Sequence, residues 1–500
     1  MNTPRFNVLI IGGGFSGTIL AVQLLYRAPA LKCGMLDKGK LPGRGLAYGT
    51  AYKCHLLNLP ADKMSAFAEE PEHFVRWARA NYEPSVQPRS FLPRTVYGGY
   101  MESLLQHAAA SAPKESFTWI QDEALSLKRR HGALAVQTRR GPELLAEFVV
   151  IATGNYPPSD PKILGLSRSS HHYVAYPWAP EALNSLPTDG SVLLLGSGLT
   201  SMDITVALKA KGFKGPIHIL SRRGLIPQPH VATALWHEFW GERWPRTIRG
   251  WVRLLRKEVQ RAHEAGCDWR AVVDAIRPMT QQIWISLPID ERKRFLRHAR
   301  SYWEIHRHRA APEIADMIAD LMHDGQVRVY AGTVVRFADH EDVAEVVFSD
   351  RKRQKVETLW VDRVINCTGS ETDCRRIEDS LVTSLFVQGF ARPDSLFMGL
   401  DVNENGALLD TNGMPSHSLF AIGPPRKGCL WETTAVPEIR DQAAQLAEHL
   451  LHISLRHVTS VRLGADTRAE DETARVKSVP VRGQRWPWLS NSQALPWQPK

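Results

Sequence analysis

Two strand–glycine turn–helix units, at Val8 and again at Val192, and two apolar strands that each end in Thr-Gly predict the fold class. It is α/β, with two Rossmann-like dinucleotide-binding domains and a helical insertion. The first domain is discontinuous, formed by residues 1–160 and 360–455. The second, 161–359, is inserted into it and carries the helical insertion at about 233–322. Residues 456–500 form a C-terminal tail.

The first unit opens with the apolar run Phe6–Ile11, then Gly12-Gly13-Gly14-Phe15-Ser16-Gly17, then the helical pattern Thr18–Leu25. Gly12 allows the tight turn, Gly14 lets the backbone approach a pyrophosphate, and Gly17 lets the helix pack on the strand. The phosphates then meet free N–H groups at the helix start. Asp37 ends the next strand, Lys32–Asp37, and is placed to bind a ribose hydroxyl.

The second unit is strand Ser191–Leu195 followed by Gly196-Ser197-Gly198-Leu199-Thr200-Ser201, where Ser201 stands for the third glycine. The strand after its helix, Ile217–Leu220, ends in Ser221-Arg222-Arg223. Hydroxyl and guanidinium groups there suit a 2′-phosphate, which favours NADPH over NADH.

Ala152-Thr153-Gly154 and Cys367-Thr368-Gly369 resemble the paired crossover segments of flavoproteins with two dinucleotide domains, and Leu419–Gly423 their final strand, which implies FAD in the first, discontinuous domain and NAD(P)H in the second. Strand pattern resumes after the insertion at Val327–Phe337 and Ala344–Phe348. Trp236, Trp240, Trp244 and Trp251 recur at helical spacing and read as core. From about Gly464 the chain is polar, with Pro480, Pro487, Pro496 and Pro499 around Trp486, Trp488 and Trp497. It reads as an extended tail, docked on a partner or, more simply, packed on its own domain.

With 500 residues, 43% of them hydrophobic, the chain has ordinary globular composition for two or three domains. No apolar run is long enough to span a bilayer, and the N-terminus lacks a secretory pattern, so a cytoplasmic protein is expected. Six scattered cysteines include no Cys-x-x-Cys pair, which argues against a flavin disulfide reductase. The net charge of +10 is concentrated between Arg243 and Arg309, with 16 Lys and Arg against 7 Asp and Glu. No nucleic-acid fold accompanies it, so a site for anionic cofactors and substrates is the reading. His306 and His308 are two apart on a helix and lack a third ligand, so no metal is expected.

Several segments are similar to those of a bacterial family of FAD/NAD(P)-binding proteins: Arg44–Gly49, Leu57–Ser65, Trp303–Arg309 and Leu430–Glu438. That family is related in design to the N-hydroxylating and Baeyer–Villiger flavin monooxygenases, and Pro93–Tyr100 resembles a helix start of the N-hydroxylating group. The family includes an FAD-dependent urate hydroxylase. The resemblance implies cofactor contacts at Arg44, Asn58, Met64, Thr434 and Val436. It also implies a departure at Gly423-Pro424, where many relatives have Gly-Asp. A helix starting near Val436-Pro437 would aim its positive end at the flavin.

The function expected is an FAD- and NAD(P)H-dependent monooxygenase acting on a small molecule with molecular oxygen through a flavin hydroperoxide. Urate to 5-hydroxyisourate, in purine catabolism, is the named possibility. The alternatives are N-hydroxylation of an amine or amino acid, an NAD(P)H oxidoreductase without oxygen insertion, and a redox-sensing flavoprotein. The pattern assigns no catalytic side chain and no oligomeric state.

Overall fold

Strand β1 (Arg5–Ile11) is apolar on both faces and lies at the centre of the first sheet. The computed structural model describes residues 3–465 apart from 131, 180–181 and 242–243. The expected tail from residue 466 onward, with its prolines and tryptophans, lies outside the described residues. β1 runs parallel to β2 (Cys33–Asp37) and to β6 (Leu144–Ile151), with Val8 opposite both Cys33 and Phe148. Strand alternation sends Val8 and Ile10 to one core and Leu9 and Ile11 to another. This is why the strand reads as a continuous apolar run.

Between these strands come α1 (Phe15–Arg27), the short α2 (Gly45–Tyr48), α3 (His73–Asn81) and α4 (Arg94–Ser111). Helix α4 starts directly after Pro93, as expected. Strand β3 (Phe117–Gln121) extends the sheet beside β2, and β4 (Ala124–Arg130) and β5 (Ala133–Thr138) form an antiparallel pair. The beginning of β6 pairs with β5. Sequence pattern does not mark this β3–β5 region, whose strands are half-exposed in β3 and exposed at the end of β4.

The second sheet is built from β7 (Tyr173–Val174), β8 (Val192–Leu195) and β9 (Ile217–Ser221), with α5 (Leu199–Ala210) between β8 and β9. The insertion follows: α6 (Ile248–Glu264), α7 (Trp269–Ile276), α8 (Thr280–Ser286), α9 (Ile289–Arg294), α10 (Arg300–Arg307) and α11 (Pro312–His323). Strands β10 (Val327–Asp339), β11 (Ala344–Asp350), β12 (Lys355–Val361) and β13 (Arg363–Asn366) complete the sheet. Its order is β12-β11-β10-β9-β8-β13-β7, parallel from β10 to β7 and antiparallel across β10-β11-β12.

The insertion corrects one expectation. Its helices begin at Ile248, and the described residues between 225 and 247 contain no helix. Pro227, Pro229, Gly241 and Pro245 punctuate the stretch, and a proline inside a helix removes a donor and clashes with the preceding turn. Trp236, Trp240 and Trp244 are therefore not on a helix despite their spacing. Trp240 and Trp244 still pack as expected, against the buried Trp251 of α6 with Ile276 and Leu287.

The chain then returns through α12 (Ser380–Val387), β14 (Ala407–Leu409) and β15 (Pro415–Ala421) to the first sheet, whose order is β14-β15-β6-β1-β2-β3. β15 lies parallel to the end of β6, with Leu419 opposite Val149. After α13 (Lys427–Leu430), α14 (Val436–Ala465) packs on α1 and runs ten residues past the expected end of its domain. Residues 5–151 and 407–421 thus supply one sheet, and 173–366 the other. No helix among the described residues is long and apolar enough to cross a membrane.

Candidate functional site: twin glycine turns and a buried seam

The two glycine turns are structural copies. Gly12 and Gly196 both have φ of +115°, a region that side chains avoid. A Cβ on Gly12 would stand 2.6 Å from the carbonyl carbon of Ala152, and one on Gly196 2.7 Å from that of Cys367. Each turn is thus pressed against one of the two crossing segments, at the carboxyl end of its parallel strand. Gly14 and Gly198 then cap α1 and α5 in the same extended conformation, with ψ of −167° and −166°. Neither helix has a side-chain cap or an acidic residue in its first turn. The N–H groups of Phe15 and Ser16, and of Leu199 and Thr200, are left to serve an anion. A Cβ at Gly198 would meet nothing within 4 Å, and at Gly14 only the Gly45 Cα at 3.6 Å. Gly17 packs on the Gly12 carbonyl, as its role requires. These residues fit a dinucleotide pyrophosphate at both turns.

Around the first turn, the Asp37 carboxylate accepts the N–H of Gly13 at 2.6 Å and that of Gly39. A carboxylate offers about four acceptor positions, so capacity for ribose hydroxyls remains. Gly43 donates to the Gly13 carbonyl at 2.8 Å, which lays the Arg44 loop across the turn. Arg44 pairs with Glu102 at 2.7 Å, while its buried Nε has no hydrogen-bond partner among the described residues. The Asn58 carbonyl faces the His230 ring at 2.9 Å, and the Thr153 hydroxyl lies 2.9 Å from that of Tyr156. Met64 and Val436 are buried in the core around α1, and Thr434 is exposed just ahead of α14. Gly154 and Gly369 hold equivalent places after the two crossings, with open space beside both. Gly423 closes on the Ser16 side chain at the start of α1.

At the second turn the expected trio divides. Ser221 accepts a hydrogen bond from Ser197 at 2.7 Å and from the Gly224 N–H at 3.0 Å. Arg222 is exposed. Arg223 instead leans on the insertion, 5.1 Å over the Tyr302 ring, and donates to the carbonyls of Arg297 and His298 at 3.4 Å.

Two groupings were invisible along the chain. The first joins the two units: Arg94, at the start of α4, pairs with the buried Asp203 of α5 at 2.8 Å. A His55 ring nitrogen lies 3.1 Å from the Asp203 carbonyl. Burial raises the Asp203 carboxyl above its usual range, although Arg94 and His55 pull it down.

The second grouping brings together the Trp303–Arg309 and Leu430–Glu438 segments. Arg307 pairs with Glu432 at 3.1 Å and lies 3.4 Å from Glu438, which Arg277 also holds at 3.1 Å. Trp303 donates to Glu432 at 3.3 Å, and Gln281 donates to the Glu432 carbonyl. Trp284 stacks on Trp431 with centroids 5.1 Å apart, and its ring N–H donates to Gly428 at 2.8 Å. Burial would raise the Glu432 carboxyl, but Arg307, His308, Trp303 and Arg277 together hold it below its usual range. Trp431 itself has φ of +63° and ψ of −70°, a sparsely populated conformation. Sequence pattern identified both segments but not their meeting.

His306 and His308 diverge on this seam. His306 packs edge-on against Trp269, whereas His308 faces the Glu432 side. Among the described residues, no three His, Cys, Asp or Glu side chains gather as metal ligands. Seven of the sixteen Lys and Arg of the basic segment are held by acids, two of them, Arg277 and Arg307, by acids from outside it. Arg261, Arg270, Arg277, Arg294, Arg300, Arg307 and Arg309 all make ion pairs.

Two sheets, each with a parallel core and a glycine turn against a crossing segment, define the class by fold. That fold resembles the fold of two-domain FAD/NAD(P)-binding flavoenzymes. Residues 9–156 match the family model described as FAD-NAD(P)-binding. Comparison with curated proteins gives no match. Among solved structures, the chain is similar to an ornithine N-hydroxylase of Kutzneria sp. 744 with reduced FAD, NADP+ and L-ornithine. Identity is 14%, coverage 90% of this chain and 99% of that one, and the TM-score 0.60. It is also similar to the FAD-bound cadaverine monooxygenase of desferrioxamine biosynthesis from Erwinia amylovora, at 15% identity. There the coverage is 97% and 100%, and the TM-score 0.62. The bacillithiol disulfide reductase of Staphylococcus aureus shares the fold at 13% identity, 90% and 99% coverage and a TM-score of 0.54.

Proposed function

We propose that the protein is an FAD- and NADPH-dependent monooxygenase that N-hydroxylates a small amine or amino acid. The observation that carries this reading is the pair of superposable glycine turns, one per sheet, each with unclaimed helix N–H groups. A protein keeping both has a place for a flavin and for a hydride donor. The amine substrate class is supported by the fold similarity to ornithine and cadaverine hydroxylases along at least nine-tenths of the chain. Hydroxylation of urate, the named expectation from sequence, gains no support from these comparisons and stands second.

Bound FAD would supply the redox chemistry, taking a hydride from NADPH and passing electrons to molecular oxygen. The chain's own residues do the rest. Gly12 and Gly14 let the backbone reach the FAD pyrophosphate, and Asp37 holds its ribose. Gly196 and Gly198 do the same for NADPH, with the exposed Arg222 meeting the 2′-phosphate. The start of α14 gives a positive dipole end just after Thr434, which would stabilise negative charge on a reduced flavin held there. The inserted helices cover the loop before α14 and keep bulk water from it.

The test is purified protein loaded with FAD and assayed for NADPH oxidation and oxygen uptake with ornithine, lysine, cadaverine and urate. The reading expects one amine to stimulate both and to yield a hydroxylamine. Urate-stimulated turnover with none by amines would restore the urate alternative. NADPH oxidation that no substrate stimulates would leave an oxidoreductase without oxygen insertion.

A further inference from the structure

The two glycine turns are joined through α4. Phe15, the first residue of α1, packs its ring 6.0 Å from that of the buried Tyr97. Arg94 precedes Tyr97 by about one turn of α4, so the two share a side of the helix. Its guanidinium is held at two edges. Nε donates to the Leu56 carbonyl at 3.0 Å, and Nη2 reaches both carboxylate oxygens of Asp203, at 3.0 and 2.8 Å. Asp203 in turn stands about one turn beyond Leu199, the first residue of α5. A single ion pair therefore closes the route from the helix at one glycine turn to the helix at the other.

Further contacts keep this pair from acting as a swivel. The loop ahead of α4 is fastened to it, because the Leu57 N–H donates to the Leu92 carbonyl at 2.8 Å and the Arg94 N–H to that of His55 at 2.9 Å. From this loop the buried His55 meets the Asp203 carbonyl through Nε2 at 3.1 Å. A carbonyl only accepts, so Nε2 carries the proton, and Nδ1 of the neutral ring accepts from the Thr50 hydroxyl at 2.8 Å. Tyr52 and Cys54 pack against the core of the second sheet, and the Asn58 carbonyl meets His230 at 2.9 Å. The grips fall on α5, on the second sheet's core and on residue 230, which are three different parts of the second unit.

We propose that Arg94 and Asp203 are positioning residues that hold the second unit, with its nicotinamide dinucleotide, in the orientation that hydride transfer to the flavin requires. This deepens the monooxygenase reading and rests on it. In that step a hydride leaves the dihydronicotinamide ring with both electrons of its C–H bond and is taken up by the flavin. NADPH is oxidised to NADP+ as the flavin is reduced. Neither side chain needs to touch a cofactor. A fork of donors on a carboxylate is directional, whereas an apolar contact of similar volume is not. Apolar residues can replace a buried ion pair at little net cost in stability. Orientation, more than stability, is then what this pair supplies. A misplacement of about 1 Å can cost about a hundredfold in rate.

The experiment uses the FAD-loaded full chain as wild type, Arg94→Met, Arg94→Met with Asp203→Leu, and Arg94→Lys. It reads the melting temperature, the NADP+ affinity by calorimetry, the change in flavin absorbance as NADP+ binds, and the limiting rate of flavin bleaching by NADPH without oxygen. Arg94→Met strands the Asp203 carboxylate and should melt lower, and the double variant should recover most of that loss. All variants should bind NADP+ nearly as wild type does. In single and double Met variants alike, the absorbance change should shrink and the limiting rate fall roughly ten- to a hundredfold. Arg94→Lys, with the charge but not the fork, should melt near wild type and lose less rate. A double variant bleached at the wild-type rate overturns the proposal, because stability alone would then account for the pair. A loss confined to NADP+ affinity, with the limiting rate intact, overturns it too. If neither Met variant folds, Arg94→Lys decides, and a wild-type limiting rate and absorbance change in it overturn the proposal. Wild type that holds no FAD, or whose flavin NADPH does not bleach, fails at the functional reading instead, before any variant is compared.

Discussion

Replacing Arg307 by Met tests whether the inserted helices are locked over the loop before α14. Arg307 and Glu432 are each only 4% exposed and meet at 3.1 Å. Met keeps much of the packing volume but strands the Glu432 carboxylate, with only the Trp303 N–H donating to it. Removing one partner of a buried pair costs about 3–5 kcal/mol. At about 1.4 kcal/mol per decade, the docked state of the insertion loses roughly two to three and a half orders of magnitude in population. Limited trypsin digestion in native buffer reads this directly, together with FAD retained after gel filtration. The single variant should be cut far faster within residues 244–323 and lose flavin. Adding Glu432→Gln should recover much of the protection, because the stranded charge is then gone. The folded Glu432 carboxyl lies below its ordinary value. Its contribution is therefore full above about pH 4.3 and is lost as pH falls through the folded value. Wild type should loosen in acid, while the double variant lacks that contribution. Digestion of Arg307→Met at the wild-type rate with full flavin content, or a double variant no better than the single, would refute the lock.

Gly12→Ala should give colourless protein, because its methyl group would overlap the Ala152 carbonyl; full flavin absorbance in that variant would misplace the FAD site. Gly196→Ala should stay yellow yet lose NADPH oxidation, since the same overlap occurs at Cys367; steady-state reduction of the flavin reads it. Arg222→Ala should raise the KM for NADPH roughly ten- to a hundredfold with little change for NADH. Arg223→Ala should do less, its guanidinium being engaged by the insertion, and equal effects from the two would show that the division is wrong. The cations of α6 without acid partners among the described residues, Arg249, Arg253, Arg256 and Lys257, should add a salt-sensitive attraction for anions. Affinity for urate should then fall between 0.1 and 1 M salt more than that for a neutral purine.

The local chemistry of this protein is written in short stretches of sequence. Each glycine turn is readable because a dinucleotide turn needs particular residues within six positions, and Gly12 and Gly196 do carry the same +115° φ. The strands around them are readable because a parallel strand buried on both faces must be apolar throughout. Where pattern alone was used, it failed if punctuation outweighed it. The four-residue spacing of Trp236, Trp240 and Trp244 suggests a helix, but the prolines and glycine of 227–245 prevent one. What only tertiary structure decided are the meetings of distant segments. Arg307 finds Glu432 across 125 residues, and Arg94 finds Asp203 across 109. Arg223 is drawn away from its neighbour Arg222 toward the carbonyls of Arg297 and His298. Such pairings depend on how the two sheets and the insertion pack, and a charge in sequence carries no mark of the partner that burial will demand.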